Sequence, residues 1–400
     1  MNPLKAAYCR IFQICLRIAL PFLPYRKPKL LDHVTDIPAL LQQNHLQRPL
    51  LVTDSFLHGS GLTASLEQTL RDDDIEVVIF DRVCVNPTTD NITEAYNLYV
   101  SSRCDCLIGF GGGSPIDCAK AIGAKAARPK KTFGQMSGIL RIMKRTPFTI
   151  AIPTTAGTGS ETTLAAVVTD AATRHKYAIM DFPLIPDCAV LDPQLTVSLP
   201  PKMTSTTGMD ALTHATEAFI GRSTTKETRA EALEAVRLIF ANIETAYRDG
   251  SNLEARGNML RAAFLAGDAF SQSYVGYVHA IAHSLGGKYN IAHGLANAVL
   301  LPLVLEGYGE VVYPKLHKLA VAAGIAVEEE SDEIAAKRYI SEIRRLNRDM
   351  NIPQTLPGIR EEDIPEMARY AEKEANPLYP VPVLWTQEQL ASYYYMVMEK

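Results

Sequence analysis

No Cys-x-x-Cys pair occurs in the chain, and its seven cysteines (Cys9, Cys15, Cys84, Cys104, Cys106, Cys118 and Cys188) are scattered and odd in number. Neither a disulfide framework nor a zinc–thiolate centre therefore organises the fold, and a reducing, cytoplasmic setting is expected. Basic runs beyond a few residues are also missing. With a net charge of −4, that argues against nucleic acid as a partner. No internal repeat or low-complexity tract appears. Apolar content of 47% and charged content of 21% are those of a soluble globular protein, and 400 residues are too many for one ordinary core, so two domains are expected.

Acidic residues are absent from the N-terminus, where Asp32 is the first. The apolar stretch from Tyr8 to Leu20 is interrupted by Arg10, Gln13 and Arg17, which fall on one helical stripe. Two arginines inside the run argue against a transmembrane helix and against a secretory signal. Residues 1–31 are read as a basic amphipathic extension. The favoured placement is docking on the body or on a second subunit, since amphipathic helices mostly turn their apolar face to a protein core. The other is peripheral membrane contact through residues 1–25. On either placement residues 1–25 lie outside the chemistry.

Residues 32–199 alternate strand and helix signals. Pro49–Asp54, Ile75–Phe80, Cys106–Phe110 and Phe148–Ile152 read as strands, with helices from Leu62 and from Thr93 between them. That alternation predicts a parallel sheet with covering helices. Two strand ends are polar and glycine-rich. Gly111-Gly112-Gly113-Ser114-Pro115-Ile116-Asp117 follows one strand directly. Glycines let backbone N–H groups approach a phosphate, and Ser114 as N-cap with Pro115 as first helical residue would aim a helix N-terminus at it. The spacing is not the full dinucleotide fingerprint. Thr154-Thr155-Ala156-Gly157-Thr158-Gly159-Ser160-Glu161 follows another strand, and Thr158 and Glu161 stand at capping-box spacing. Two such ends in one sheet predict a ligand crevice at its carboxyl edge. Asp54 closes a third strand, where a carboxylate can accept from an adenosine ribose and repel a 2′-phosphate. A turn Asp capping the next helix fits that position equally well. Lys176 reads as an anion contact or as a plain surface lysine.

After Leu199-Pro200-Pro201 the pattern turns wholly helical, through residues 200–400, with interiors rich in Ala, Leu and Glu. Three of the nine histidines, His279, His283 and His293, fall close together in apolar surroundings, with Gly286-Gly287 expected to break the first helix. Asp210 and His214 stand four apart upstream, and so share a helix face. Neutral imidazoles with one carboxylate suit zinc or ferrous iron, and buried His/Asp clusters mark metal or catalytic sites.

The segments Gly111-Gly112-Gly113-Ser114-Pro115-x-Asp117, Pro153-Thr154-Thr155-Ala156-Gly157-Thr158, Gly208-Met209-Asp210-Ala211-Leu212-Thr213-His214-Ala215-x-Glu217, and His279-x-x-x-His283-x-x-Gly286 through His293-Gly294-x-Ala296-Asn297 resemble the iron-containing (group III) alcohol dehydrogenases. The resemblance implies a dehydroquinate synthase-like architecture: an α/β dinucleotide-binding domain with a parallel sheet, then an all-α metal-binding domain. It implies Asp210, His214, His279 and His293 as metal ligands, with His283 beside the nicotinamide as the catalytic group. It places the pyrophosphate on Gly112, Gly113 and Ser114 with Asp117 nearby, the nicotinamide side along Thr154, Thr155 and Thr158, and the cofactor against Lys176 and Asn86. Asp54 stands where relatives that use NAD rather than NADP carry an acid. The expected activity is reversible hydride transfer between an alcohol and NAD, with Fe2+, or alternatively Zn2+, in a homodimer. The rivals are a zinc-dependent polyol or glycerol dehydrogenase and a dehydroquinate-synthase-like lyase. The tail from Asn376 to Pro382 is longer and more apolar than the family's usual Asn-Pro-Arg.

Overall fold

A computed structural model describes residues 2–173 and 175–399. Among the described residues, nine strands form two sheets: β1 (Lys29–Leu31), β2 (Pro49–Val52), β3 (Val78–Phe80), β4 (Cys106–Gly111), β5 (Gly138–Ile139), β6 (Phe148–Pro153), β7 (Ala165–Thr169), β8 (Lys176–Met180) and β9 (Cys188–Val190). The main sheet is parallel throughout, in the order β1-β9-β6-β4-β2-β3. Its central strand β4 is buried along its whole length, as an uninterrupted apolar run demands when helices cover both faces. Successive side chains point to opposite faces. Leu107 joins a core with Leu50, Val52 and Ile122, while Cys106 and Ile108 join another with Leu51 and Ile150. The chain runs from β2 outward to β3 and then returns to β4 on the other side of β2. That reversal makes the carboxyl ends of β2 and β4 the switch point where open α/β sheets bind ligands.

Contacts divide the chain into two compact units: Pro24–Ser198, and Leu199–Lys400 together with the chain up to Leu23. Strand β1 pairs in register with β9, so residues 24–31 belong to the α/β unit rather than to the N-terminal extension that the sequence suggests. In the helical unit, Pro201–Ile220 packs against Lys226–Arg248, Leu253–Ser273 and His293–Tyr308. A long apolar run of this unit, His293–Ala322, is mostly buried within the protein.

Four local expectations need correcting, and one element of the fold goes beyond them. The helix after β4 spans Gly113–Ala127 with Gly112 as N-cap, so Ser114 lies in its first turn. The segment from Thr158 to Glu161 forms no helix, and Glu161 is buried instead of capping one. The Tyr277–Tyr289 helix runs straight through Gly286 and Gly287, because packing outweighs the roughly 1 kcal/mol cost of each glycine. A small second sheet, β5-β8-β7, has β7 and β8 antiparallel; its strands are too short to announce themselves. Finally, the N-terminal helix, Pro3–Ala19, docks by its polar stripe, with Cys9 and Gln13 as its buried residues.

Candidate metal centre and nucleotide cradle

In the helical unit, Asp210, His214 and Glu217 lie four and three residues apart on the Pro201–Ile220 helix and are all buried. That spacing puts them on one face. The Tyr277–Tyr289 helix starts against this face. Glu217 Oε2 accepts from Gly276 N–H and Oε1 from Val278 N–H, both at 2.8 Å, so a carboxylate from another helix satisfies the open amides of this N-terminus. The same Oε2 lies 2.6 Å from His279 Nδ1. A carboxylate only accepts, so Nδ1 carries the proton and Nε2 keeps its lone pair. Burial, and then the neighbouring imidazoles, hold His279 well below the usual histidine range, so it is a neutral donor. Burial pushes Glu217 up to about 7, against the amide bonds that favour its charge.

His293 opens the His293–Tyr308 helix, and Asn297 follows one turn later. Asn297 Nδ2 donates to Asp210 Oδ1 at 2.6 Å and lies 3.1 Å from His279 Nε2 and 3.2 Å from His293 Nε2. His214 stacks on Phe270 and His279, with centroids 4.1 and 4.5 Å apart. One ligand atom from each of Asp210, His214, His279 and His293 lies within 4.8 Å of the others. Asp210 Oδ1 is 3.5 Å from His293 Nε2 and 3.9 Å from His279 Nε2. Four donors about 2.1 Å from one ion stand roughly 3.4 Å apart in a tetrahedron, so the set suits a single divalent cation. Burial raises the Asp210 carboxyl above its ordinary range, and a cation among these donors would reverse that.

His283 sits beside this group. Its ring stacks on His293 at 5.1 Å, its Nδ1 is 2.6 Å from Glu374 Oε1, and Tyr379 donates to the same oxygen at 2.7 Å. Tyr379 belongs to the apolar tail whose lengthening stands out in the sequence.

In the α/β unit, β4 and β6 are adjacent, which brings their polar ends together. A Cβ on Gly112 would lie 3.5 Å from Thr155, and one on Gly113 would lie 3.3 Å from Thr158, so the two loops enclose a narrow cradle. Gly111 has φ +146 and its Cβ would meet Pro115 at 2.6 Å, so only glycine serves there. Thr154 continues the pairing, donating from its amide to Gly111 O at 3.0 Å. Asn86 donates from its amide to Ser114 Oγ at 3.3 Å, and its Oδ1 accepts from Lys176 Nζ at 2.8 Å. Asp117 is buried and accepts from Val167 N–H at 3.1 Å, bracing β7. Asp54 closes β2 and caps the next short helix, accepting from Leu57 N–H at 2.9 Å. The cradle thus gathers Asn86, Gly112, Gly113, Ser114, Thr155, Thr158 and Lys176. Thr154 and Asp117 stand in the surrounding scaffold, and Asp54 stands on the neighbouring strand end.

Sequence reasoning gave no role to Glu217, Asn297, Glu374 or Tyr379. Glu217 is three residues beyond His214 and Asn297 four beyond His293, spacings that place them on the donor faces. Glu374 and Tyr379 carried no comparable signal.

Residues 31–193 match the family described as iron-containing alcohol dehydrogenase, and residues 204–398 match the C-terminal domain of the Fe-containing alcohol dehydrogenase family. A 1,3-propanediol dehydrogenase of Klebsiella pneumoniae is 41% identical over 335 residues, covering 82% of this chain and 86% of the relative. An NAD-dependent methanol dehydrogenase of Bacillus methanolicus is 36% identical over 340 residues, covering 84% and 89%. The crystal structure of a 1,3-propanediol oxidoreductase superposes with a TM-score of 0.89 at 37% identity, covering 93% of this chain and 99% of that one.

Proposed function

The chain belongs to the iron-containing alcohol dehydrogenase family and is an oxidoreductase acting on alcohols, and we propose that it moves a hydride reversibly between a small primary or secondary alcohol and NAD at one divalent metal, Fe2+ before Zn2+. The observation that carries this reading is the convergence of the Asp210, His214, His279 and His293 donors. These four would hold the metal, which when bound supplies Lewis-acid polarisation of the substrate oxygen. Glu217 fixes the His279 tautomer and so presents a lone pair. Asn297 holds Asp210 in place. His283 is the catalytic proton carrier, with Glu374 and Tyr379 orienting its ring through Nδ1. Gly112, Gly113 and Ser114 receive the pyrophosphate at a helix N-terminus, with Asp117 bracing the loop. Thr155 and Thr158 line the nicotinamide side, with Thr154 holding their strand end to β4, while Asn86 meets the adenosine side and Lys176, bonded to it, contacts the cofactor. Asp54 disfavours a 2′-phosphate, which supports NAD over NADP. The protein supplies placement, and the cofactor supplies the hydride chemistry.

The rival lyase and zinc polyol dehydrogenase readings gain no support from these relatives. All seven cysteines are free thiols, which supports a cytoplasmic setting. A homodimer is the expected assembly.

The test mixes the purified protein with NAD, a panel of simple alcohols and diols, and Fe2+ or Zn2+, and follows NADH absorbance. No NADH with any alcohol under either metal would sink the reading. His283→Ala should lower kcat by roughly a hundredfold or more while metal content stays that of the wild type. Equal loss of metal would instead make His283 part of the ion's own shell. Glu217→Gln should weaken metal affinity by about 10–100-fold, measured by retention under dialysis against a chelator, since its amide N–H2 must face either Val278 N–H or the pair of Gly276 N–H and the His279 ring N–H.

A further inference from the structure

The N-terminal helix is turned inside out for a helix docked on a protein. Its polar stripe faces the body. Arg10 donates to Gln13 Oε1, Val381 O and Pro382 O at 2.8, 2.7 and 2.9 Å. Gln13, 2% exposed, donates to Tyr379 O at 2.8 Å and Pro377 O at 3.3 Å. The opposite face is apolar and bare, with Leu4 81%, Tyr8 59%, Ile11 62%, Ile14 55% and Ile18 64% exposed, and Phe22, in the short turn Leu20–Phe22 that follows the helix, is 84% exposed. Steps of three and four residues make these one ridge. Six large apolar side chains in a row on a surface mark an interaction site, unlike apolar residues scattered singly.

The charge beside the ridge is positive. Ile14 also lines a cavity of about 50 Å³ with Arg10, Gln13, Arg17 and Arg222. Arg17 and Arg222 are exposed and donate no hydrogen bond from their guanidinium groups among the described residues. Lys315 Nζ is taken up by Ile220 O and Gly221 O. Burial and the cations Arg229, Arg222 and Arg17 pull it down to about 8. Lys5 is spent on Glu372, but among the described residues nothing answers the Arg17–Arg222 pair.

We propose that this helix and its arginine pocket form a docking surface for an anionic phospholipid bilayer. The ridge enters the boundary between headgroups and acyl chains, and Arg17 and Arg222 take a lipid phosphate. Charge complementarity selects this occupant. A second copy would bring two acid-free cationic segments together, and like charges facing each other oppose association. A zwitterionic surface would cover the ridge but leave the arginine pocket unanswered. Apolar area combined with attraction to anionic lipid is what holds an interfacial helix.

The test floats the full-length protein with vesicles of equimolar phosphatidylglycerol and phosphatidylcholine, and with phosphatidylcholine alone. Binding to the anionic vesicles is expected, and none to the neutral ones. Ile11→Glu with Ile18→Glu should abolish it. Arg17→Gln with Arg222→Gln should weaken it by roughly thirtyfold, about 1 kcal/mol for each cation removed. Alcohol oxidation in solution should be unchanged in both variants. The proposal falls if the anionic vesicles do not bind or if the ridge variant still floats. It also falls if the ridge variant only shrinks the oligomer in light scattering, which would make the ridge a contact between copies. Saturation of the pocket by inorganic phosphate, without vesicle binding, would leave an anion site and no membrane surface.

Discussion

His279→Ala protein is expected to purify folded, hold no metal and lose at least about a thousandfold in turnover. A thousandfold is roughly 4 kcal/mol of barrier, within the several kcal/mol that Lewis-acid charge stabilisation supplies. The imidazole is buried, and its Nε2 is one of four electron-pair donors grouped within 4.8 Å. Removing it leaves three donors and an opened pocket. The change also strips Glu217 Oε2 of one partner, although Gly276 N–H still donates to it at 2.8 Å. A stability loss of about 1–3 kcal/mol follows from that buried acceptor, so melting temperature is measured alongside. Metal content by mass spectrometry and NADH formation are the readouts. Wild-type turnover by metal-free variant protein would remove the metal from the mechanism, and with it the roles given to Asp210, His214 and His293. NAD binding should be close to normal, because the cradle of the α/β unit has no part in this change.

Much of this site could be read from the sequence because its signals are local. Asp210 and His214, and His279 and His283, stand one helical turn apart, and the glycine loop follows an apolar strand without a gap. Strand β4 announces itself as a continuous apolar run, and β6 as one broken only by Thr149. What stayed hidden depends on contacts across long stretches of chain. Glu217 acts by capping a helix that begins some sixty residues later, and no spacing rule reaches that far. The orientation of the N-terminal helix was read from the general habit of amphipathic helices. Here Arg10 and Gln13 find backbone carbonyls at 377–382, and those bonds decide which face is buried. The same bonds tie the helix to the segment that carries Tyr379, which donates to Glu374 and so reaches His283. The expectation that residues 1–25 lie outside the chemistry therefore meets a physical objection, and the exposed ridge is the part of that helix that can be altered without touching this chain of bonds. Gly286 and Gly287 misled for the opposite reason. Their local cost is real but small beside the burial of Val278, Ile281, Ala282 and Leu285 on the same helix.

Gly294→Ala should damage the enzyme although helix propensity says the reverse. Alanine in place of glycine within a helix is ordinarily worth about 0.8–1 kcal/mol, and Gly294 is the second residue of the His293–Tyr308 helix. A Cβ at this position would lie 2.4 Å from Thr206 O, 2.9 Å from Thr206 C and 3.3 Å from Asp210 Cβ. The first two are backbone atoms of the Pro201–Ile220 helix and cannot swing aside as a side-chain tip would. The helices must separate, by about 1 Å to restore ordinary contact. His293 precedes this residue, and Asp210 is one turn beyond Thr206 on the other helix, so the clash sits between two of the four donors. Their present separation of 3.5 Å, Oδ1 to Nε2, would widen with it. Metal sites tolerate about 0.2 Å in ligand distance, and a misplacement of about 1 Å can cost a hundredfold in rate. The expected variant is folded, melts at a lower temperature, loses metal to a chelator that leaves the wild type loaded, and has kcat down by roughly a hundredfold with KM for NAD little changed. A higher melting temperature with full metal retention would mean that the helices part without cost, and that the close approach at Gly294 does not set the geometry of the donors.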